Sequence, residues 1–172
     1  MIQNQSKIMK SLLVIPTLNE IDGMKQVISK INHDWVDEIL IVDGGSIDGT
    51  IEEAKKQNIN VLMQTTKGSH GAAILDAFNS SDADYLLMFG ADGNNEPEEI
   101  PKMLSKIKEG YDQVINSRFS KTSKNDDAGL IDGFGNRMFT IFANLVFGGN
   151  LPDTLSSSRA ITRKAWDEIE MD

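Results

Sequence analysis

Five short predicted strands, each built around consecutive apolar residues, constrain the fold of this chain more than any other feature of its sequence. They cover residues 12–16, 38–43, 60–64, 85–89 and 112–117, and each is bounded by polar or turn-forming residues. The first four alternate with segments whose pattern is typical of helices. Strands that are apolar along their whole length are typical of parallel sheets, because helices cover both faces of such sheets. The alternation therefore predicts an α/β fold with a mostly parallel, doubly wound central sheet.

The composition excludes several classes of partner and site. The 172 residues suffice for one domain with a hydrophobic core, and no second domain is expected. With 17 basic and 26 acidic residues the net charge is -9, so the surface would repel the phosphates of a nucleic acid. No cysteine is present, which excludes disulfides and thiolate metal sites. The two histidines, His33 and His70, lie far apart in the sequence, so a zinc hydrolase site is not expected.

The two ends of the chain bear on location and completeness. The first residues lack the basic region and apolar run of a signal peptide, and no apolar stretch approaches the ~20 residues of a membrane span. We therefore expect a cytoplasmic protein whose contact with a membrane, if it makes one, is peripheral. Trp166 and Ile169 begin an apolar pattern that the chain, ending at Asp172, does not complete. We accordingly expect residues 1–172 to form a single domain that is truncated at its C-terminus.

The segment after the fourth apolar run carries the residues best suited to binding a ligand. The run gives way at Gly90 to small and polar residues, among them Asp92 and Asn94, before Pro97 begins the next helix. Open α/β sheets bind ligands just beyond the carboxyl ends of their strands. One carboxylate beside one amide oxygen suits a hard divalent cation that also contacts a substrate phosphate. The alternative interpretation is that Asp92 caps the following helix.

A long apolar segment nearer the C-terminus also has two interpretations. Residues 134–147 are predicted to form a helix that is apolar around most of its circumference. We favour a helix buried in the core. The alternative is a face that meets a membrane or a lipid acceptor, because large exposed apolar patches mark such sites.

The common nucleotide-binding and hydrolase motifs are absent. No G-x-G-x-x-G follows a strand and no P-loop is present, which argues against a dehydrogenase or a P-loop ATPase. No G-x-S-x-G is present either, which argues against a serine hydrolase.

Seven segments, in order and spacing, resemble motifs of the family 2 inverting glycosyltransferases of the GT-A fold, especially the dolichol-phosphate mannose synthase-like branch. They are residues 15–20 (IPTLNE), 42–50 (VDGGSIDGT), 67–73 (KGSHGAA), 91–94 (ADGN), 98–101 (EEIP), 116–119 (NSRF) and 153–159 (DTLSSSR). The resemblance extends over residues 12–165. Seven ordered matches are far more specific than any one of them.

The resemblance implies a role for each matching residue. The implied nucleotide-sugar site consists of Pro16, Thr17, Glu20, Asp43, Ala91, Asp92, Arg118 and Arg159. Its first four members would hold the nucleoside, Arg118 would bind phosphate, and Asp92 and Asn94 would hold Mg²⁺ or Mn²⁺ on the donor diphosphate. Asp153, with Arg159, would lie near the acceptor. Asp153 would act as the general base if the acceptor is a hydroxyl, whereas a polyprenyl phosphate needs no base because it is already mostly anionic near pH 7.

Two departures from the family pattern bear on the activity. Gly44 and Gly90 stand where the second motif and the metal motif usually carry an acid. We predict an enzyme that transfers a hexose from a nucleotide-diphosphate sugar, most favourably to a polyprenyl phosphate. One alternative is a nucleotide-sugar-binding domain that has lost catalysis through the two glycines. The other is a transferase that acts on a saccharide hydroxyl.

Overall fold

The computed structural model describes residues 8–92, 95–117, 130–154 and 156–169. Within these residues the strands are β1 Ser11–Thr17, β2 Glu38–Asp43, β3 Asn60–Met63, β4 Tyr85–Met88, β5 Gln113–Ile115 and β6 Arg159–Thr162. The helices are α1 Ile21–Val27, α2 Thr50–Lys56, α3 His70–Asn79, α4 Glu99–Lys108, α5 Leu130–Phe147 and α6 Arg163–Glu168. Short 3-10 turns, Ile28–Lys30 and His33–Trp35, follow α1.

The strands form one sheet in the order β3-β2-β1-β4-β6-β5. The four strands β1 to β4 pair in parallel, whereas β6 pairs antiparallel with both β4 and β5. The predicted mostly parallel α/β architecture is therefore confirmed. Strand β6 was not predicted, because the polar residues before the last helix indicated a loop. Only four residues form this strand, so its pairing with β4 and β5, rather than its own pattern, defines it.

Helices cover both faces of the sheet, which explains why the strands are apolar along their length. Successive side chains of a strand point to opposite faces. Leu13 and Ile15 of β1 accordingly pack into one core cluster with residues of α1 and α4, and Leu12 and Val14 pack into a second cluster with Phe78 of α3. All four β1 side chains are fully buried. Strand β1 is therefore the centre of the fold.

Helix α5 is not buried, so the favoured prediction for this segment is wrong. The large apolar side chains that the structure describes in it, a set that does not include Phe134, are between 52% and 85% exposed: Met138, Phe139, Ile141, Phe142, Leu145, Val146 and Phe147. The side that faces the protein is polar instead, with Thr140 bonded to Thr154 and Asn144 bonded to the backbone of Leu151. Among the described residues, no helix has both the length and the apolar character that crossing a bilayer requires.

Helix α1 packs closely against the segment that follows β4. A Cβ atom on Gly23 would lie only 1.9 Å from the carbonyl oxygen of Ala91. Backbone atoms cannot move aside as a flexible side chain can, so only glycine permits this approach. The contact fixes the start of the segment that carries Asp92.

We expect Gly23→Ala to lower the free energy of unfolding by about 1–3 kcal/mol, because the added methyl group overpacks the contact with Ala91. Urea denaturation measures this loss. Gly71→Ala is the matched control, since Gly71 also lies in a helix and a Cβ there meets no atom within 4 Å. The control should be neutral or stabilising by up to about 1 kcal/mol. Equal effects of the two substitutions would contradict the packing argument.

Candidate functional site at the carboxyl ends of the strands

The chain segments with the predicted motifs meet at one edge of the sheet. Thr17 ends β1 beside Asp43 at the end of β2, and Gln64 follows the end of β3. On the other side of β1, Met88 at the end of β4 lies opposite Arg159 at the start of β6. The strand order reverses between β1 and β4, and open α/β sheets bind ligands at such a point.

The carboxylate of Asp43 organises the loop after β2. Its Oδ1 accepts hydrogen bonds from the N–H groups of Gly45 (2.8 Å) and Ser46 (2.7 Å), and its Oδ2 accepts from the hydroxyls of Thr17 (2.9 Å) and Ser46 (2.6 Å). The side chain is fully buried. Burial raises the pKa of Asp43, but the four hydrogen bonds outweigh burial and hold the pKa below its usual value. Asp43 is therefore ionised, and its acceptor positions are filled from within the protein.

A second set of hydrogen bonds ties the loop after β1 to the loop after β2. The bonds run from Asn19 N to Ser46 Oγ (2.8 Å), Ile47 N to Asn19 Oδ1 (3.0 Å), Glu20 N to Thr50 Oγ1 (3.0 Å) and Ile21 N to Asp48 Oδ2 (3.0 Å). These bonds position Glu20 at the start of α1. The two loops therefore form one unit, and the Asp43 carboxylate holds this unit through its hydrogen bonds to Thr17 and Ser46.

A cavity of about 190 Å³ opens beside this unit. It is lined by Pro16, Thr17, Leu18, Glu20, Gln64, Gly68, Ser69 and His70. Three of the residues predicted to hold a nucleoside, Pro16, Thr17 and Glu20, thus lie around one cavity. Asp43 is not part of the lining and lies behind Thr17, to which it is bonded.

Gln64 and His70 line the same cavity but were not predicted as site residues. His70 is the first residue of α3, after the capping residue Ser69, whose hydroxyl accepts from Ala72 N at 3.2 Å. Partial removal of the ring from water, and secondarily the charge of Arg159, lower the pKa of His70. His70 is therefore mostly neutral near pH 7, and Arg159 is close enough for its charge to act on the cavity wall. The motif at residues 67–73 pointed to this region but not to one residue in it.

The segment that carries Asp92 is held by a small polar network. Asp92 is exposed, and its Oδ1 lies 3.5 Å from Asn95 Nδ2. Asn95 Oδ1 in turn accepts a hydrogen bond of 2.7 Å from Ser158. Asp92 does not cap α4, which begins at Glu99 without a side-chain cap, so that alternative is wrong. Asn94 and Arg118 lie outside the described residues, and their predicted roles stay predictions.

The side chains at this edge suit a metal ion only in part. No group of three or more acidic, histidine or cysteine side chains that could hold a metal occurs among the described residues. A closed metal cage is thus not formed by that part of the chain. A single exposed carboxylate does fit Mg²⁺ or Mn²⁺ when substrate phosphate and water complete the coordination.

Asp153 lies in the loop before β6, and Arg159 is the first residue of that strand. Arg159 donates to the carbonyl of Ser156 through Nε (3.2 Å) and Nη2, and to the carbonyl of Thr154 at 3.5 Å. Burial lowers the pKa of Arg159, and the charge of Asp153 partly restores it. The guanidinium stays charged all the same. Asp153, predicted as a general base, is fully buried beside it.

We expect Asp43→Asn to lower the free energy of unfolding by about 2–3 kcal/mol at pH 7, because the amide nitrogen would face donors that the carboxylate now accepts. The folded-state pKa of Asp43 is depressed, so the advantage of the wild type is present above the unfolded-state pKa of about 3.9 and declines as the pH falls through the folded-state value. Urea denaturation from about pH 7 to about pH 2 measures this difference. Asp112→Asn, at an exposed position, is the control. A difference that does not change with pH would contradict the assignment.

Comparison with known proteins identifies the family. The family model described as glycosyl transferase family 2 matches residues 12–170. Glycosyltransferase AglJ of Haloferax volcanii is 34% identical over 160 residues, which are 92% of this chain and 52% of that protein. Dolichol-phosphate mannosyltransferase of Pyrococcus furiosus is 32% identical over 123 residues, 67% of this chain and 35% of that protein. Polyprenol monophosphomannose synthase of Mycolicibacterium smegmatis is 26% identical over 178 residues, 94% of this chain and 65% of that protein.

Solved structures agree on the fold. Glucosyl-3-phosphoglycerate synthase from Mycobacterium tuberculosis, in complex with Mn²⁺, UDP and glucosyl-3-phosphoglycerate, superposes with a TM-score of 0.74 at 20% identity, covering 91% of this chain and 57% of that one. This likeness extends to the fold, which is the GT-A fold. The chain spans between 35% and 65% of the length of the three curated relatives above. From the match over residues 12–170 and the fold, the chain belongs to glycosyl transferase family 2.

Proposed function

We propose that this chain transfers a hexose from a nucleotide-diphosphate sugar to a polyprenyl phosphate, with inversion at the anomeric carbon. The observation that carries the proposal is the cavity at the switch point of the sheet, where Pro16, Thr17 and Glu20 meet. It opens at the same edge as Asp92 and Arg159, which supports a donor whose nucleoside and diphosphate lie side by side along that edge. Family membership supports the reaction class.

In the donor site the nucleoside occupies the cavity, and Glu20 accepts hydrogen bonds from the base or the ribose. Asp43, predicted to hold the nucleoside directly, does not line the cavity, and its filled carboxylate supports an indirect role instead, the shaping of the loop that borders the cavity. Ala91 contributes backbone rather than side chain, because it is buried against α1. Arg118 and Arg159 supply positive charge for the phosphates.

Asp92, with Asn94, would hold Mg²⁺ or Mn²⁺ together with the donor diphosphate. The bound cation stabilises the negative charge that develops on the leaving nucleoside diphosphate. One protein carboxylate gives little affinity for a cation by itself, so nucleotide and metal should bind together. In the transfer, an acceptor oxygen bonds to the anomeric carbon from the face opposite the leaving group. The bond from that carbon to the diphosphate breaks as the new bond forms, and its electron pair leaves with the nucleotide.

Two observations favour a polyprenyl phosphate over a saccharide hydroxyl. A hydroxyl acceptor needs a general base within hydrogen-bond reach, and the base candidate Asp153 is fully buried. A phosphate monoester, with its second pKa of about 6, needs none. The exposed apolar side of α5 is moreover joined to the Asp153 loop through the Thr140–Thr154 hydrogen bond of 3.0 Å. A lipid chain on α5 would bring its phosphate towards that loop, and two of the relatives are named for dolichol-phosphate and polyprenol substrates.

We expect a nucleoside diphosphate with Mn²⁺ to stabilise the protein by about 2.7 kcal/mol when the nucleotide is at 100 times its dissociation constant. This stabilisation should exceed the sum of the effects of Mn²⁺ alone and of the nucleotide alone. Thermal unfolding with UDP, GDP and dTDP measures the effect. Asp92→Asn should abolish the metal-dependent part, because it removes the ligand carboxylate, whereas the exposed control Asp34→Asn should retain it. The same metal-dependent stabilisation in Asp92→Asn would overturn the metal assignment.

The alternative is a domain that binds the donor but does not turn it over, and it rests on the glycines at positions 44 and 90. A transfer assay distinguishes this alternative from an active enzyme. Radiolabelled hexose should pass from its nucleotide donor to polyprenyl phosphate in a reaction that requires Mn²⁺ or Mg²⁺. Donor binding without any transfer or hydrolysis would favour the degenerate domain. Transfer to a saccharide instead would favour the hydroxyl acceptor.

The lipid contact of α5 is testable separately. We expect the double substitution Phe139→Ser and Phe142→Ser to reduce binding to liposomes that contain polyprenyl phosphate by well over tenfold, because each buried aromatic ring contributes more than about 1 kcal/mol and tenfold corresponds to about 1.4 kcal/mol. Co-sedimentation measures it. Tyr111→Ser is the matched control, because Tyr111 is a similarly exposed aromatic residue between α4 and β5. Unchanged co-sedimentation of the double variant would contradict a lipid-facing α5.

A further inference from the structure

Gln64 forms one wall of the cavity assigned to the nucleoside. It follows β3 directly, and its backbone N–H donates to the carbonyl of Asp43 at 2.9 Å. This bond extends the pairing of β3 with β2 by one residue, so the position of Gln64 is set by the sheet. The side chain is half-buried and lies beside Gly68 and Ser69 in the cavity lining.

Two backbone groups fix the orientation of the Gln64 amide. Its Oε1 accepts a hydrogen bond from Gly68 N at 3.1 Å, and its Nε2 donates to the carbonyl of Ser69 at 3.1 Å. A flipped amide would oppose donor to donor and acceptor to acceptor, so the assignment of oxygen and nitrogen is determined by its neighbours. An amide offers two N–H donors and two acceptor positions. The two bonds to the loop therefore leave one donor and one acceptor for a ligand.

The same amide occupies the space that a side chain at Gly44 would need. A Cβ atom on Gly44 would lie 3.0 Å from Gln64 Oε1 and 3.3 Å from Leu18 Cδ1. Both distances are shorter than ordinary van der Waals contacts. A side chain at position 44 would therefore require the Gln64 amide to move from its present position by a few tenths of an ångström. In this chain position 44 has no side chain, and the nearest polar group is the neutral Gln64 amide, which offers both a donor and an acceptor.

We propose that Gln64 recognises the nucleobase of the donor, an inference that rests on the proposed function of this cavity. Every base carries a hydrogen-bond donor next to an acceptor on its pairing edge, and an oriented amide complements both. Uracil and guanine present a ring N–H beside a carbonyl, whereas cytosine and adenine present a ring nitrogen lone pair beside an amino group. A fixed amide distinguishes these two patterns when the ribose holds the base in one orientation.

The test is the affinity of the full chain for UDP, CDP, GDP and ADP with Mn²⁺, measured by titration calorimetry on the wild type and two variants. Gln64→Glu keeps the size and the acceptor but removes the donor. It should raise the ratio of UDP to CDP affinity, and of GDP to ADP affinity, by about tenfold, because a carboxylate accepts a ring N–H and repels a ring lone pair. Gln64→Met keeps the length but removes both groups. It should weaken the preferred nucleotide by about tenfold and reduce the preference among the four.

Two controls separate this proposal from the function on which it rests. Inorganic pyrophosphate carries no base, so its affinity should be the same in the wild type and both variants. Gln113→Glu, which adds the same charge at an exposed position of β5, should leave all four nucleotide affinities unchanged. Affinity ratios that are unaltered in both Gln64 variants would overturn the role of Gln64 and leave the proposed function standing. A wild type that binds none of the four nucleotides would overturn both.

Discussion

The buried carboxylate of Asp43 is the interaction on which the rest of this site depends. A fully buried charge is costly, and here four hydrogen bonds within the protein compensate it. Because those donors come from the end of β1 and from the loop after β2, one side chain fixes two loops against each other. Glu20, Thr17 and the cavity they border are positioned as a consequence.

The two glycines that depart from the family pattern are matched by neighbouring side chains. Gln64 fills the space above Gly44, and a Cβ on Gly90 would lie 3.2 Å from Asn95 Nδ2 and 3.3 Å from Ser157 Oγ. The polar groups nearest to both positions are thus neutral, and the Asp92 carboxylate lies next at Gly90, with its Oδ1 3.5 Å from such a Cβ. The site therefore carries less negative charge than the family motif implies, which favours a polyanionic donor diphosphate even with a single carboxylate at Asp92.

Much of the fold followed from the sequence, because strands that are apolar on both faces specify a parallel sheet covered by helices. The edge that gathers Pro16, Thr17, Glu20 and Asp92 followed as well, since parallel strands all end at that edge. The four residues of β6 could not be predicted, because long-range pairing rather than local pattern makes them a strand. Helix α5 was misjudged because an apolar circumference does not say which neighbours cover it. Gln64 was not predicted as a site residue, because its orientation depends on the backbone N–H of Gly68 and the carbonyl of Ser69, which only the folded loop brings to it.

The proposed site places nucleotide and metal at one edge of the sheet, with Asp92 at the metal and the base in the cavity. Anomalous diffraction from crystals grown with Mn²⁺ and the best-binding nucleoside diphosphate would locate both ligands. This arrangement predicts one manganese peak within coordination distance of an Asp92 carboxylate oxygen and of the diphosphate, with the base against Gln64. A manganese ion coordinated elsewhere, or a base outside the cavity lined by Thr17, Glu20 and Gln64, would contradict it.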